Sequence, residues 1–340
     1  MRSPLALVAD IGGTYVRFAL TQPDATSPLQ TQSIRQLTIS EFDSLAEAAS
    51  VFFDQLGVSS ANRPSSAVLA VAGRVEGEVA QMTNHRWRID GRAFGTTLDI
   101  NAVQLINDFT AQAMAVEWMG DADLAQLGLP AQPTARGSDA TYAVLGPGTG
   151  LGVSALLRRQ GISLPLETEG GHAAFAPSNP EEAAIRALLS KQYGRVSYER
   201  LLSGGGLVNI FQALTQIHGR SSTELNQPRQ IRLAARDGNA LAARAVQIFC
   251  SVFGAFAGDL VLTLGAWDGV YLTGGLVPKL LEELREPEFR AAFEAKGRFA
   301  DALSRVPTLA VLHPQSGLLG AAGWALRDAP ALRPKAAANA

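Results

Sequence analysis

Cysteine is nearly absent: Cys250 is the only one in 340 residues. A single thiol excludes an intrachain disulfide and a zinc site built from several cysteines, and it suits a reducing cytoplasm. Lysine is almost as scarce, with Lys191, Lys279, Lys296 and Lys335, and none of them follows a glycine. That removes the P-loop, whose Gly-Lys-Ser/Thr brings an ammonium to the nucleotide phosphates. Equally missing are the Gly-x-Gly-x-x-Gly fingerprint of dinucleotide sites, the Gly-x-Ser-x-Gly elbow of acyl-transfer enzymes and any His-Glu-x-x-His zinc helix among the four histidines. No excess of one charge is present, since 29 basic against 31 acidic residues leave −2. The balance gives no reason to expect nucleic acid or an anionic membrane as a partner. Long hydrophobic runs are lacking too. The apolar stretch after Arg2 breaks at Asp10, unlike a signal peptide, and the best membrane candidate, between Arg244 and Asp259, has about 14 uncharged residues where a span needs roughly 20.

What is present is a sequence 47% hydrophobic and 18% charged, enough to bury a large core, at a length that suggests about two domains. Leu5 to Asp10 and Tyr15 to Leu20 read as strands joined by Gly12-Gly13-Thr14, a hairpin. Pro23 to Gln32 reads as loop. Glu41 to Leu56 has helical spacing with Ser40 as its expected cap. Ser66 to Ala72 and Val103 to Ile106 read as buried strands, and Phe109 to Met119 as a helix. Gln126 to Ala140, with its prolines and glycines, reads as a surface connection. A second strand, glycine turn and strand follow over Tyr142 to Leu157, so one hairpin falls in each half and a duplicated domain is expected. Helices are expected over Glu181 to Ser190, Ser203 to His218, Ala240 to Leu264, Pro278 to Leu284 and Ser316 to Leu326, a strand over Val270 to Thr273, and a loose tail from Arg327.

Four glycine-rich turns follow strands or begin helices: Gly12-Gly13, Gly148 to Gly152, Gly204 to Gly206 and Gly274-Gly275. Glycine lets backbone N–H groups close on an anion, and a helix N-terminus adds favourable partial charge. Any one of them reads equally well as a tight turn. Four in one chain, two of them paired with threonine, point to a nucleotide cradled by backbone amides and hydroxyls, with Asp10 placed to hold Mg²⁺ through water.

The run from Asp10 to Arg17, DIGGTYVR, resembles the first phosphate loop of the sugar kinase, heat-shock chaperone and actin superfamily. More narrowly, the chain resembles the bacterial ATP-dependent glucokinase family. The resemblance is carried in order by Thr83 to Trp87 (TNHRW), Ile106 to Ala111 (INDFTA), Gly146 to Gly152 (GPGTGLG), Glu169 to His172 (EGGH) with Phe175 to Pro177 (FAP), Val196 to Arg200 (VSYER) and Lys296 to Phe299 (KGRF). It spans roughly residues 5 to 326. Gly205 departs from it, standing where the family usually has proline, which loosens a turn but removes no functional group. The branch of sugar kinases that includes repressors carries a cysteine-rich zinc motif, which one cysteine excludes.

The resemblance implies an α/β fold of two actin-like (ribonuclease H-like) domains with a ligand cleft between them. It gives a small domain over 1–118 and 313–327, a large domain over 119–312, and the tail over 328–340. It implies transfer of the γ-phosphate of ATP to the 6-hydroxyl of glucose, with ATP and Mg²⁺ as cofactors, in a cytoplasmic protein that forms a homodimer. Asp108 matches the family's catalytic aspartate, at the end of a buried strand where ligands of α/β sheets sit; read by itself it would serve equally as a helix cap. Asn107, Glu169, His172 and Glu199 are assigned to the sugar hydroxyls, supplying the donors and acceptors that a hexose demands. Taken singly, His172 reads as a buried histidine and Glu199 as a helix-surface acid. Asn84 and Gly73 are weaker candidates at the rim, and Trp87 reads as core. Gly12, Gly13 and Thr14 face the phosphates from one half and Gly148, Thr149 and Gly150 from the other, with Gly274 and Gly275 on the adenosine side. Arg17 reads as a strand-surface charge slightly more than as a phosphate contact. The competing expectations are a kinase for another hexose or another donor such as polyphosphate, and a non-catalytic sugar sensor or assembly protein. Nine residues before Asp10 leave no room for a DNA-binding helix-turn-helix.

Overall fold

Two strands meet across the Gly12-Gly13 turn as expected. β1 (Ala6–Ile11) and β2 (Tyr15–Thr21) pair antiparallel with Asp10 opposite Arg17, and the Gly12 N–H donates to the Tyr15 carbonyl at 3.0 Å. The computed structural model describes residues 6–22, 27–82, 85–128, 138–219 and 225–327. β3 (Leu29–Thr38) pairs with β2 and replaces the last part of the loop expected over Pro23 to Gln32. Its side chains are largely polar and half-exposed, as an edge strand allows, so it shows little apolar alternation.

α1 (Leu45–Leu56) begins later than Glu41 because Ser44, not Ser40, is its cap. Ser44 Oγ accepts the Glu47 N–H at 3.2 Å while the Glu47 carboxylate accepts the Asp43 N–H at 2.8 Å, a reciprocal arrangement that satisfies two otherwise free donors. β4 (Ser66–Val71) lies parallel to β1. A small sheet of β5 (Gly73–Glu76), β6 (Val79–Met82) and β7 (Arg88–Asp90), then α2 (Gly91–Leu98), follow without having been expected. Three- and four-residue strands are too short to show a period. β8 (Ala102–Asn107) lies parallel to β4, and α3 (Asp108–Ala115) gives way at Val116–Trp118 to a tighter turn instead of running to Met119.

The second half repeats the plan. β9 (Leu124–Leu127) is a strand where a surface connection was expected from Gln126; residues 129–137 of that connection lie outside the described residues. β10 (Ala140–Pro147), β11 (Leu151–Arg159) and β12 (Ile162–Glu167) form a meander. Then come α4 (Pro180–Tyr193), α5 (Gly204–Ile217), α6 (Pro228–Arg236) and α7 (Ala240–Leu264). α6 was not expected. α7 is long and apolar enough to cross a membrane, but most of it is buried, with Phe249, Phe253 and Val261 fully enclosed in the largest core cluster. β13 (Gly269–Leu272), α8 (Leu281–Arg285), α9 (Pro287–Glu294), α10 (Ala300–Ser304), β14 (Thr308–Val311) and α11 (Ser316–Leu326) complete the chain. The helix expected from Pro278 starts at Leu281, after a tight turn over Pro278–Leu280. The expected tail from 328 onward lies outside the described residues.

The strand orders, β3-β2-β1-β4-β8 and β12-β11-β10-β13-β14-β9, coincide through their first five places. In each, an antiparallel meander leads into two parallel strands, and β9 adds to the far edge of the second sheet. This is the doubled actin-like, ribonuclease H-like fold. α3 and α11 lie between the two sheets in a core that joins Val8, Val68 and Ala70 of the first to Tyr142, Val144 and Leu156 of the second. Their backbones touch: a Cβ on Gly320 would overlap the Ala111 carbonyl.

Candidate active site

β1, β4 and β8 all run parallel and end together, and β10 and β13 do the same in the second sheet. The carboxyl ends of parallel strands are where ligands of open α/β sheets bind. Asp10 lies one residue before the end of β1, and Asn107 ends β8. Asn107, not Asp108, caps α3: its Oδ1 accepts the Phe109 N–H at 2.8 Å while its Nδ2 donates to the Gly73 carbonyl at 3.1 Å. Those bonds leave one N–H and one lone pair of the buried amide for a ligand. Asp108 is the first helical residue, with Oδ1 3.0 Å from the Phe109 nitrogen.

Burial, then the charge of Asp10, push the Asp108 carboxyl up to about 7, with Glu169 adding to the rise and the Phe109 N–H opposing it. Three expected site residues, from β1, from the start of α3 and from the segment after β12, therefore share one electrostatic environment. Asp10 is itself raised by burial, against the pull of Arg17, whose Nη1 stands 3.2 Å from its Oδ2. Arg17 also binds Gln36 through Nε at 2.9 Å. It is thus the counter-ion of Asp10 rather than a free strand-surface charge. The other wall of Asp10 is Gly317, near the start of α11, where a Cβ would lie 2.7 Å from the Asp10 Cγ.

Gly13 and Thr14 are exposed at the tip of the first hairpin, and Thr149 at the tip of the second. The second tip closes by the Gly148 N–H donating to the Gly150 carbonyl at 2.8 Å, and the Gly148 carbonyl accepts the Gly204 N–H, at the start of α5, at 2.9 Å. The fourth glycine turn packs on the same loop. Gly274, in a left-handed conformation at φ 88°, lies against Pro147, while Gly275 is open to solvent. Across the cleft, Thr273 Oγ1 donates to Gln112 Oε1 of α3 at 2.9 Å, and the Phe109 ring covers Gly152, where a Cβ would overlap it.

His172 is not buried; its side chain is 57% exposed at the end of a short turn over Gly170–His172 that follows exposed Glu169. Glu199 is not a free surface acid. Its Oε2 accepts the Leu151 N–H at 3.0 Å, which binds it to the second glycine loop, and its Oε1 stands 4.0 Å from His172 Nδ1. A carboxylate and an imidazole so placed offer neighbouring hydroxyls both an acceptor and a donor. Trp87 is core, as expected, Gly73 is the carbonyl that holds Asn107, and Asn84 lies outside the described residues. The sequence reading missed Gly317 as the wall of Asp10 and Arg17 as its partner. The second was accessible, because a four-residue turn, Gly12 to Tyr15, between Ile11 and its partner Val16 sets Arg17 opposite Asp10 in the hairpin register.

The family model described as glucokinase matches residues 7–328. A glucokinase of Stenotrophomonas maltophilia is 50% identical over 331 residues, covering 95% of this chain and 96% of that protein. Among solved structures, the glucokinase of an Antarctic psychrotroph matches with TM-score 0.83 and 30% identity, covering 95% of this chain and 98% of that one. The glucokinase of Balamuthia mandrillaris, solved in complex with glucose, shares the fold at TM-score 0.73 and 24% identity, over 95% of this chain and 94% of that one.

Proposed function

This chain belongs to the glucokinase family, and from that premise we propose how its cleft carries the reaction. The protein is an ATP-dependent hexose kinase, a glucokinase that converts glucose to glucose 6-phosphate with release of ADP. In our assignment Asp108 accepts the proton of the glucose 6-hydroxyl as that oxygen attacks the γ-phosphate. The observation that carries this is the Asp108 carboxyl, raised to about 7 at the end of β8 beside Asp10 and Glu169. A base with its pKa near the working pH is ionised enough to act and basic enough to take the proton.

Asn107, Glu169, His172 and Glu199 read the sugar hydroxyls. This is supported by the remaining hydrogen-bonding capacity of Asn107, the exposure of Glu169 and His172, and the closeness of His172 to Glu199. Gly12, Gly13 and Thr14 hold the phosphates from one side and Gly148, Thr149 and Gly150 from the other, with Gly274 and Gly275 towards the adenosine. Exposed backbone at both hairpin tips suits that use. Among the described residues no group of three His, Cys, Asp or Glu side chains is placed to hold a metal. Mg²⁺ keeps most of its waters and is held chiefly through substrate phosphates; Asp10, near the end of β1, would hold it through water. When bound it neutralises phosphate charge.

In the same reading, residues 1–118 with 313–327 form a small domain and 119–312 a large one, the division being supported by the two sheets and by the packing of α11 on α3 and β1. Sugar binding closes the cleft and excludes water, which would otherwise compete for the phosphate. The enzyme is taken as cytoplasmic, supported by its single buried thiol, and as a homodimer, supported by family membership alone.

The test is ADP formation with and without glucose, with the product read by a dehydrogenase specific for glucose 6-phosphate, and with mannose and glucosamine as competing acceptors and polyphosphate as a competing donor. Turnover that requires glucose and ATP and is fastest with that pair supports the proposal. Faster turnover with another sugar or donor reassigns the substrate, and tight glucose binding without turnover identifies a sensor.

A further inference from the structure

The Lys296-Gly297-Arg298-Phe299 motif has no part in the reaction assigned above, yet its lysine is firmly placed. Lys296 Nζ donates to Asp259 Oδ1 at 2.6 Å and to the Ala255 carbonyl at 2.8 Å, both on α7, and its side chain is only 11% exposed. It reaches α7 because residue 258 is glycine: a Cβ there would stand 2.7 Å from Lys296 Cε. The second oxygen of Asp259 accepts the hydroxyl of Tyr198 at 3.4 Å. Tyr198 stacks on Phe256 with ring centroids 4.0 Å apart and meets Phe175 edge-on at 5.6 Å. Its oxygen also takes a backbone hydrogen bond from Ala176, and burial with the Asp259 charge pushes the phenol up to about 12, so it remains a donor at working pH.

This chain of contacts ends at the sugar side of the cleft. Tyr198 immediately precedes Glu199. Its N–H donates to the Ala173 carbonyl, and the Phe175 N–H donates to the Val196 carbonyl, each at 3.0 Å, so the segment after His172 is bound to the segment before Glu199. We propose that Lys296 and Asp259 are positioning residues for the sugar site, fixing through the Tyr198 hydroxyl the turn that carries Glu199 and the segment that follows His172. The inference rests on the reading of Glu199 and His172 as the residues that bind sugar hydroxyls.

The physical reason lies in the Asp259 carboxylate, whose side chain is 44% exposed. Without the ammonium it is free to turn to water and abandon the phenol. The turn that carries Glu199 then loses one of its anchors, the Tyr198 hydroxyl on Asp259, and the Glu199 carboxylate is held on the Leu151 N–H by a less constrained backbone. A ligand read by groups fixed to within about an ångström loses affinity when one of them is released. If the contact merely tied α9 to α7, its loss would lower stability and leave the balance between the two substrates unchanged.

The experiment compares Lys296→Met, Tyr198→Phe, their combination and Glu199→Gln, each measured for glucose KM, ATP KM, kcat and Tm. Lys296→Met is expected to raise glucose KM about tenfold, with ATP KM changed less than about twofold. Tyr198→Phe, which loses one oxygen and keeps the stacked ring, shifts glucose KM in the same direction and carries the test if Lys296→Met fails to fold. The double variant is no worse than the more affected single, because both act along one chain of contacts. A lower Tm with unchanged glucose KM, or two effects that multiply, overturns the proposal. An unchanged glucose KM in Glu199→Gln shows instead that the reading of the sugar site has failed; a rise there without one in Lys296→Met and Tyr198→Phe refutes this inference alone.

Discussion

Replacing Asp108 by asparagine should stabilise the protein while removing its activity. The carboxyl stands at about 7 instead of 3.8, mainly through burial and then through the charge of Asp10. A folded-state pKa above the unfolded value means that the native state binds the proton more tightly. Stability therefore falls as pH rises from about 4 to about 7, and the whole cost is present above that. Roughly three pKa units at about 1.4 kcal/mol each set an upper value of about 4 kcal/mol. Asparagine keeps an oxygen to accept the Phe109 N–H, which the aspartate meets at 3.0 Å, and brings no charge. Allowing for relaxation around the ionised group, Asp108→Asn should be more stable by about 2–4 kcal/mol at pH 8. The gap should narrow by up to about 1.4 kcal/mol per pH unit between pH 7 and pH 5. Urea unfolding of both proteins at pH 5, 6.5 and 8, with equal m-values, measures it. A variant less stable at pH 8, or a gap that does not change with pH, would refute the reasoning.

The same ionisation governs turnover. Because the base must be deprotonated, kcat/KM for glucose should fall about tenfold per pH unit below about pH 7 in a coupled assay, and a flat profile down to pH 5.5 would contradict the role of Asp108. Gly317→Ala places a methyl 2.7 Å from the Asp10 Cγ, so the KM for Mg·ATP should rise about tenfold with glucose KM unchanged; equal rises in both would remove Asp10 from the nucleotide side. Gly320→Ala forces α11 away from the Ala111 carbonyl and should cost about 3 kcal/mol or more, seen as a lower Tm or loss of soluble protein, whereas an unchanged Tm would show that the α3–α11 contact yields without strain.

The parts of the fold visible in the sequence are those whose burial imposes a period. α7 is largely apolar and buried along its 25 residues and α11 packs between two sheets, and both were found at their true ends. The two glycine hairpins declared themselves by composition, and with them the duplication. Hidden elements were short or polar: β5, β6 and β7 bury too few residues to set a pattern, and β3 and β12 are partly exposed edge strands, each paired only with the strand just before it, so neither carries the apolar run of a buried strand. The site divides in the same way. Asp10, Asn107 and Asp108 sit at strand ends that the apolar runs predict. His172 and Glu199 could be listed but not located, since their meeting depends on an isolated bridge between Ala174 and Ser197. Gly317 gave no signal, because its role is set by α11 packing on β1, more than 300 residues before it.

The central claim is that the Asp108 carboxylate takes the proton of the sugar hydroxyl. Its most direct test is glucose-dependent ADP formation by Asp108→Asn at pH 8, alongside glucose affinity measured in the absence of nucleotide. The account predicts glucose binding within about threefold of the natural protein and kcat lowered by about 10²–10⁴. Binding retained with kcat within tenfold of the natural protein would contradict it.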